Sequence, residues 1–471
     1  MTEKFWTWNA LETAAAIRAK KVSAREVTQS VLQRIHDTNP RTNALPHVLA
    51  DEALATAAAA DAAVARGEAL GPLHGVPVTT KVNVDQKGCA STGGLVKLKD
   101  LIAQDDAPVV AHLRQAGAII VGRSNTPAFS LRWFCDNDVH GRTLNPWNAA
   151  VTPGGSSGGA AAALASGMGS IAHGNDYGGS IRYPAFACGV VGLRPTQGRV
   201  PAYNGTSQVE RGISSQMMSV QGPLTRTVAD ARLALQVMAQ GSVLDPLWIP
   251  APLDYPDSAK PCKVALFKSG PGIQAHPTVA AALDRAALAL QAAGYQVEEA
   301  TPPHYLEACD LWRQLVWDDL RRAVPLIDQL GDQAVRTNMH HFLAFTPALE
   351  RDAYLALLGR RLGLSRTWSL FHAQYPVLLM PNSWETQFSV DDDTKTLGRL
   401  QEITAAQGPL LCTAMLGLPG ISVPTGIVNG LPTGVQLSAW RFREDLILAA
   451  AEVVERAAKA QTLVHDKHLP L

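Results

Sequence analysis

Segments with the apolar, β-branched character of buried strands alternate along this chain with segments of helical periodicity. This alternation limits the possible folds more than any other feature. Residues 76–80 form the first strand pattern. Residues 109–115 have helical spacing, Gly117 ends them, and residues 118–121 form a second short apolar strand. Helices that alternate with buried strands predict an α/β fold.

The same patterns give no clean boundary for a second domain, so we predict a single domain over residues 1–471. Its predicted parts are N-terminal helices over 1–70, a core over 71–240, a helical insertion over 300–375 that lines or covers the functional site, and C-terminal strands and a helix over 376–471. Ser23, Asp51 and Thr227 precede helical patterns and are the predicted N-caps.

Composition excludes several classes of protein. With 41 basic and 41 acidic residues among 471, the formal charge is zero, which gives no support for binding to nucleic acid or to an anionic membrane. No apolar run reaches the roughly 18 residues of a membrane span, and the first six residues lack the apolar core of a signal peptide. Six scattered cysteines, with no C-x-x-C pair, argue against disulfides and against zinc. We therefore expect a cytoplasmic protein with a small-molecule substrate, no metal and no cofactor. A homodimer is one possible oligomeric state.

Two glycine- and serine-rich segments and one lysine are the candidates for chemistry. The first segment, residues 154–159, reads Gly-Gly-Ser-Ser-Gly-Gly and leads into an alanine-rich helical pattern. The second, residues 176–182, reads Asp-Tyr-Gly-Gly-Ser-Ile-Arg. Lys81 stands alone in the apolar, β-branched stretch 75–82. Because glycine allows backbone N–H groups to approach a ligand closely, these pieces together predict a serine hydrolase that needs no histidine.

Ser180 is the predicted nucleophile. It follows Tyr177, Gly178 and Gly179, whose consecutive backbone N–H groups can form a concave anion site. Such a site suits the oxygen that becomes negative during acyl transfer, and one donor of this kind contributes about 3 kcal/mol to transition-state stabilisation.

Lys81 is the predicted base. Burial at the end of a strand raises the cost of its ammonium form and lowers its pKa from the ordinary value of about 10.4. The neutral amine can then accept a proton. Ser156, in the first glycine loop, is the natural relay, so the predicted path runs from Ser180 through Ser156 to Lys81 and back when the leaving amine is protonated.

Each piece alone has a simpler interpretation. The first loop could be a flexible linker, or it could hold a phosphate because it precedes a helix, although G-x-x-x-x-G-K-[ST] is absent. Lys81 could be solvated or structural. A Ser-His-Asp triad is the main rival, because the chain has 13 histidines, including His74, His140 and His173. The G-x-S-x-G pattern of one such fold fails around Ser180 at its last glycine.

With these residues, the chain resembles the amidase signature family. The resemblance covers nearly the whole chain and rests on the segments 75–82, 145–147, 154–159, 176–184, 192–196, 222–227 and 430–437. It implies one large α/β/α domain around a mixed, twisted sheet, and the chemistry of a Ser-cisSer-Lys triad that acts on amides. By position, it implies Ser180 as the acyl-forming nucleophile, Ser156 as the bridging serine on a cis peptide bond, and Lys81 as the base.

The resemblance also implies roles around this triad. It places the backbone of Tyr177, Gly178, Gly179 and Ser180 in the oxyanion hole, and Ser157, Asp176 and Arg182 in support of the site. Many relatives carry Thr-Asp-Thr before Gly-Gly-Ser, whereas this chain carries Asn175, Asp176 and Tyr177. The loop 125–141, which lines the substrate site in relatives, is unusual here. We expect its Leu131, Trp133 and Phe134, with Gly155, to contact the substrate, although both aromatic rings could simply pack in the core.

These expectations converge on an amidohydrolase. It would cleave a small carboxamide, aryl or N-substituted, through an acyl-enzyme on Ser180. A carbamate or ester hydrolase with the same triad is one alternative. The other, from a different class, is a glutamine-amidase-like subunit of a tRNA-dependent transamidation complex, in which a partner would supply the RNA contacts.

Overall fold

The structure is a computed structural model that describes residues 4–258, 260–270 and 272–464. Its strands, numbered in chain order, are β1 His47–Val48, β2 Pro77–Lys81, β3 Ile119–Ser124, β4 Ile171–Asp176, β5 Val191–Arg194, β6 Val220–Thr225, β7 Lys263–Leu266, β8 Ser269–Gly270, β9 Ile273–Gln274, β10 Gln296–Glu299, β11 Val377–Pro381, β12 Gly420–Val428 and β13 Leu431–Ala439. All but β8 and β9 join one sheet, in the order β1-β3-β2-β4-β6-β5-β12-β13-β11-β7-β10.

The helices are α1 Ala10–Arg18, α2 Ala24–Thr42, α3 Ala50–Arg66, α4 Pro108–Gln115, α5 Gly158–Ala165, α6 Arg182–Cys188, α7 Ile213–Met218, α8 Val228–Met238, α9 Pro277–Ala292, α10 Tyr305–Leu320, α11 Val324–Leu330, α12 Gln333–Ala344, α13 Arg351–Gln374, α14 Asp392–Lys395, α15 Leu397–Ala406, α16 Gly408–Met415 and α17 Glu444–Ala458. Among these described helices, none combines the length and the apolar character that crossing a bilayer requires.

The predicted helix starts are correct at two of three positions. The Ser23 side chain accepts from the Glu26 N–H in a full capping box, and the Thr227 side chain accepts from the Asp230 N–H. The prediction for Asp51 is wrong, because α3 begins one residue before it, after Leu49, which has no side-chain acceptor. The alanine-rich sequence starts this helix without a side-chain cap, since alanine has the highest helix propensity.

The sheet is mixed, as the resemblance implied. Strand β2 runs parallel to both of its neighbours, β3 and β4, whereas β4, β6, β5, β12, β13 and β11 follow one another antiparallel. Strands β11, β7 and β10 are again parallel. Both kinds of strand pairing therefore occur in one sheet, which gives an α/β fold whose strands are covered by helices on two sides.

Successive residues of the central strands belong to different layers of the core. Ile120 of β3 packs in the cluster that contains residues of α8, α9 and α17. Its neighbours Ile119 and Val121 pack in the cluster that contains residues of α2, α3 and α5. Because successive strand side chains point to opposite faces, this alternation buries both faces of the sheet.

The carboxyl ends of β2 and β4 place the candidate site. The two strands are parallel neighbours, with Val78 opposite Ile171, so they end at the same edge of the sheet. Lys81 is the last residue of β2 and Asp176 is the last residue of β4. In sheets of this kind, the crevice outside the carboxyl ends of the strands is the usual place for a ligand.

Candidate active site

Lys81 lies at the centre of a buried polar cluster. Its side chain is fully buried, and its Nζ lies 2.7 Å from Oγ of Ser156 and 3.3 Å from Oγ of Ser157. The same Nζ lies 2.7 Å from Oδ1 of Asn175, a residue that the sequence did not single out as a contact. The structure therefore brings together the lysine strand, the first glycine–serine segment and the end of β4, which leads into the second segment.

Burial governs the protonation of this lysine. Because an ammonium group loses its hydration when it is buried, burial lowers the pKa of Lys81 to about 7. The negative charge of Asp176 acts in the opposite direction, but it does not compensate for the lost water. A substantial fraction of Lys81 is therefore neutral at physiological pH and able to accept a proton.

The first glycine loop needs its small residues because other backbone passes close to it. The peptide bond between Gly155 and Ser156 is cis. A Cβ atom on Gly155 would collide with the backbone of Arg132 and Phe134, so only glycine fits there. Helix α5 starts at Gly158, directly after Ser157, and its alanines are buried against the sheet. The alanine-rich helix thus anchors the loop that presents Ser156.

The second loop is held by Asp176. Its carboxylate accepts hydrogen bonds from the N–H groups of Gly179, at 2.8 Å, and Ile181, at 3.2 Å. It also accepts two from the guanidinium of Arg182, at 2.9 and 3.0 Å, and one from Arg194 at 3.2 Å. Burial opposes ionisation of this carboxyl, but the two guanidinium charges outweigh burial and hold the pKa of Asp176 well below its usual range. The loop around Ser180 is therefore fixed by a fully ionised, fully bonded carboxylate.

Ser180 lies at the surface of a pocket beside the first loop. The residue is 8% exposed, and its carbonyl oxygen accepts from the N–H of Ser157 at 3.2 Å. This backbone bond links the two glycine–serine loops directly. Both predicted serines therefore lie on adjoining segments, with Ser156 on the side of Lys81 and Ser180 at the pocket.

The N–H groups of the second loop do not all match the expected oxyanion hole. In the part of the chain that the structure describes, the N–H groups of Tyr177, Gly178 and Ser180 have no protein acceptor. The N–H of Gly179 differs, because the carboxylate of Asp176 already accepts from it. The expectation that Gly179 donates to a developing oxyanion therefore conflicts with this geometry.

An aromatic pocket adjoins Ser180. The indole N–H groups of Trp133 and Trp312 donate to the carbonyl oxygens of Gly178 and Tyr177, each at 2.9 Å, and their rings stack with centroids 6.4 Å apart. The residues that line the pocket are Ser130, Leu131, Arg132, Trp133, Tyr177, Gly178, Ser180, Trp312, Val316, Trp317, Leu320, Asn338 and Phe342. The tryptophans thus form the wall and also hold the loop that carries the nucleophile candidate.

Two of the four expected substrate contacts lie elsewhere. Leu131 and Trp133 line the pocket, and their contact with the substrate stays a prediction. Phe134 instead packs in the core against Phe388, with ring centroids 6.3 Å apart, and Gly155 packs against backbone. Trp133 therefore faces the pocket, whereas Phe134 is part of the core.

Sequence reasoning missed several residues of the site. Trp312 and Phe342 come from α10 and α12, within the segment 300–375 that was expected to line or cover the site, but neither residue was singled out. Arg194 could have been noticed as a charged residue at the end of an apolar strand. Asn175 was noted as a departure from the threonine that many relatives carry, but that difference did not indicate its contact with Lys81.

The three histidines considered for a rival triad are engaged with other groups. His173 accepts from the Lys81 backbone N–H at 3.5 Å through Nδ1, and its Nε2 lies 2.7 Å from Gln221 Oε1. Burial lowers the pKa of His173 to about 4, so this ring is neutral. The Nε2 atoms of His74 and His140 lie within hydrogen-bonding distance of the Ala60 carbonyl oxygen and the Thr92 hydroxyl, respectively.

This fold and this site belong to one class of enzyme: the chain is a member of the amidase signature family. The family model described as Amidase matches residues 26–448. The chain is 45% identical to the indoleacetamide hydrolase of Bradyrhizobium diazoefficiens, with 96% of this chain and 87% of that protein covered. It is 33% identical to a subunit of the glutamyl-tRNA(Gln) amidotransferase of Moorella thermoacetica, covering 95% and 96%. A bacterial aryl acylamidase of the amidase signature family has a TM-score of 0.82 and 26% identity, with 96% of each chain covered. The protein is therefore a hydrolase of amide C–N bonds.

Proposed function

We propose that this amidase hydrolyses an arylacetamide and that indoleacetamide is the first candidate. The observation that carries the proposal is the tryptophan-lined pocket next to Ser180. An aryl acyl group fits such a wall, because flat aromatic rings bury large areas and stack on one another. The relative at 45% identity, which is named for indoleacetamide, supports the same class of substrate.

The proposed reaction proceeds through an acyl-enzyme. Oγ of Ser180 attacks the amide carbonyl carbon and gives its proton to Ser156, whose own proton passes to the neutral amine of Lys81. The carbonyl oxygen becomes an oxyanion and accepts from the N–H groups of Gly178 and Ser180. When the C–N bond breaks, the proton returns through Ser156 to the nitrogen, and ammonia leaves. Water then attacks the Ser180 ester along the same proton path and releases the carboxylic acid.

The geometry around Lys81 supports these roles. The 2.7 Å contact between Nζ and Ser156 is within the range for direct proton transfer. Ser157 and Asp176 support the site in this proposal, the first through its N–H bond to the Ser180 carbonyl and the second through the loop that it holds. Arg182 acts by keeping Asp176 ionised.

The test is hydrolysis of indole-3-acetamide, phenylacetamide and acetamide by the purified protein, followed by product analysis. We expect the two aryl amides to react with higher kcat/KM than acetamide, and Ser180→Ala to abolish turnover. A fluorophosphonate probe should label Ser180 in the wild type and nothing in Ser180→Ala. Full turnover by Ser180→Ala would end the proposal, and a preference for acetamide would end its arylacetamide part. Matched phenylacetate esters and phenyl carbamates distinguish the ester and carbamate alternatives.

A glutamine amidase that serves a transamidation complex is the second candidate, because the chain also matches one component of such an enzyme along nearly its whole length. The pocket argues against glutamine as the preferred acyl donor. Its one arginine, Arg132, is bound by Asp393 at 2.8 Å and by Asp136 at 2.6 Å, so its charge is already neutralised. Faster release of ammonia from glutamine than from arylacetamides would make the glutamine amidase the first candidate function and the arylacetamide hydrolase the second.

A further inference from the structure

A line of side-chain hydrogen bonds leads from Lys81 to the aromatic pocket. Oδ1 of Asn175 lies 2.7 Å from Nζ of Lys81, and Nδ2 of Asn175 donates to Oδ1 of Asn83 at 3.1 Å. Nδ2 of Asn83 in turn donates to Oγ of Ser130 at 2.9 Å. Ser130 lines the pocket next to Ser180. Two amides therefore connect the buried amine to a hydroxyl at the substrate side.

This line fixes which end of the Asn175 amide faces the lysine. Because Oδ1 of Asn83 accepts from the Asn175 NH₂ group, the amide oxygen of Asn175 turns toward Nζ. Asn83 is itself held, since the Asn204 NH₂ group donates to its backbone carbonyl oxygen at 3.0 Å. An amide oxygen can only accept, so it takes an N–H of Lys81 and leaves the lone pair of the amine elsewhere.

Counting the hydrogens on the amine shows where the lone pair goes. A neutral amine has two N–H groups and one lone pair. Ser157 donates its hydroxyl hydrogen to the Asn175 carbonyl oxygen at 3.4 Å, so its Oγ can accept from Nζ at 3.3 Å. With one N–H on Asn175 and the other on Ser157, the lone pair faces Ser156, the remaining contact at 2.7 Å.

We propose that Asn175, held by Asn83, is a positioning residue that turns the lone pair of Lys81 toward Ser156. The two asparagines touch neither the proposed scissile bond nor the nucleophile, so they act through the lysine. This inference rests on the proposed function, because it concerns the base of that reaction. Since Ser130 ends the line at the pocket wall, a substrate group that contacts Ser130 also bears on the orientation of the amine.

A charge change at Asn175 tests the proposal through pH. Arg123 of the neighbouring strand β3 donates to the backbone carbonyl oxygen of Lys81 at 3.0 Å. The titratable groups that act on the Lys81 amine are Asp176 at the end of β4, His173 within β4, and Cys135 of the loop before the first glycine segment. Burial raises the pKa of the Cys135 thiol to about 11, and His173 is neutral, so near pH 7 Asp176 is the charge among them. Asn175→Asp would add a second carboxylate in direct contact with Nζ, which favours the ammonium form.

We expect Asn175→Asp to move the midpoint of the kcat/KM profile upward by at least about one pH unit, with activity partly recovered above the new midpoint. Asn83→Ala should lower kcat about tenfold without changing KM, because Asn175 then loses the bond that orients it. This fall in kcat is smaller than the fall expected on replacing Lys81 itself. Asn83 and Asn175 also line a cavity of about 520 Å³, from which water can replace a lost hydrogen-bond partner.

The measurements are pH profiles for indole-3-acetamide hydrolysis and, independently of any amide, the pH dependence of the rate at which a fluorophosphonate labels Ser180. Asn429→Asp, an exposed charge change between β12 and β13, is the matched control and should leave both profiles unmoved. A profile for Asn175→Asp that coincides with the wild type would overturn the proposal even if kcat falls, because a purely structural role changes the rate and not the midpoint.

Melting temperatures identify variants that do not fold. If Asn175→Asp does not fold, Asn175→Thr, which keeps an acceptor oxygen, replaces it. Activity of Asn175→Thr above that of Asn175→Ala supports the proposal, and equal activity overturns it. If Lys81→Ala has normal neutral-pH turnover, the proposed base fails as well. If the pH profile of Asn175→Asp coincides with that of the wild type while Lys81→Ala is inactive, only the positioning role is rejected.

Discussion

Two buried charge clusters lie side by side in this enzyme and behave in opposite ways. Asp176 is completely buried, yet two guanidinium groups and two backbone N–H groups keep it ionised. Lys81 is equally buried, and among the described residues the hydrogen-bond partners of its Nζ are the neutral oxygens of Ser156, Ser157 and Asn175. A buried group keeps its charge when oppositely charged groups contact it, whereas a buried group without such partners shifts its pKa toward the neutral form.

The difference between the two clusters indicates that the Asp176 cluster stabilises the structure, whereas the Lys81 cluster is suited to proton transfer. Asp176 fixes the shape of the loop around Ser180 and is not free to take up a proton. Lys81 is poised to take one up, because burial without a carboxylate contact brings its pKa to about 7. If this contrast is correct, neutralising the first cluster should damage the fold, and neutralising the second should damage only the reaction.

Replacement of the lysine should have the largest effect on activity. We expect Lys81→Met to lower kcat at pH 7 by about 10²–10⁴-fold, the usual contribution of general acid–base catalysis. The fold should be retained or stabilised, because an apolar chain takes the place of an amine without a counter-charge. Steady-state kinetics and urea unfolding measure the two quantities.

The stability part of this prediction has a definite pH dependence. The folded pKa of Lys81 lies below its ordinary value of 10.5, so the unfolded chain binds more protons between about pH 7 and 10.5. Wild-type stability attributable to Lys81 therefore rises with pH across that window, and the advantage of Lys81→Met should shrink. An advantage that grows with pH would contradict a depressed lysine pKa.

Neutralising the other cluster should chiefly cost stability. Asp176→Asn leaves the buried Arg182 and Arg194 without their shared counter-charge, and removal of one partner of a buried pair costs about 3–5 kcal/mol. Urea unfolding followed by circular dichroism measures the loss. Asp257→Asn, which removes an exposed partner of Arg443, is the control and should change stability by less than about 1 kcal/mol. Equal unfolding midpoints for the two variants would mean that charge pairing does not hold the loop.

The two clusters were not equally visible in the sequence. Lys81 was found because a lone lysine at the end of a β-branched strand is conspicuous, and β2 lies where the pattern placed it. Strand β4 was not predicted, because its Ile-Ala-His-Gly-Asn-Asp sequence has little β propensity and is a strand through pairing with β2 and β6. The support that Asp176 receives from Arg194 was missed with it.

Contacts between distant parts of the chain were beyond sequence patterns. Asn83 and Asn175 are polar residues on different segments, and only the parallel pairing of β2 with β4 brings them together. The two stacked tryptophans of the pocket were predicted unequally: Trp133 was named in the unusual loop, whereas Trp312 lies in the helical insertion that was expected to line or cover the site but was not named. Local patterns thus drew attention to the side chains that are proposed to react, but tertiary structure decided what surrounds them.

The pH dependence of the wild type sharpens the comparison further. If neutral Lys81 is the base, kcat/KM should fall about tenfold for each pH unit below a midpoint near 7, and level off above it. Asp176 should contribute no inflection between pH 5 and 9, because its pKa is held well below its usual range. Initial rates in buffers of constant ionic strength over that range measure the profile. A midpoint near 10 would show that Lys81 keeps its charge despite its burial.

The smallest predicted effect concerns Trp312 of the aromatic pocket, which holds the loop around Ser180 through one hydrogen bond. Trp312→Phe keeps a ring against Tyr177 and Gly178 but removes the N–H that donates to the Tyr177 carbonyl oxygen. One such bond contributes about 1 kcal/mol, so kcat for indole-3-acetamide should fall roughly fivefold. Trp248→Phe is the matched control, because it loses a similar bond to the Ala239 carbonyl oxygen outside the pocket. If both variants have wild-type kcat, the bond from Trp312 does not contribute to the shape of the loop. A fall in Trp312→Phe alone would assign part of that shape to the Trp312 N–H.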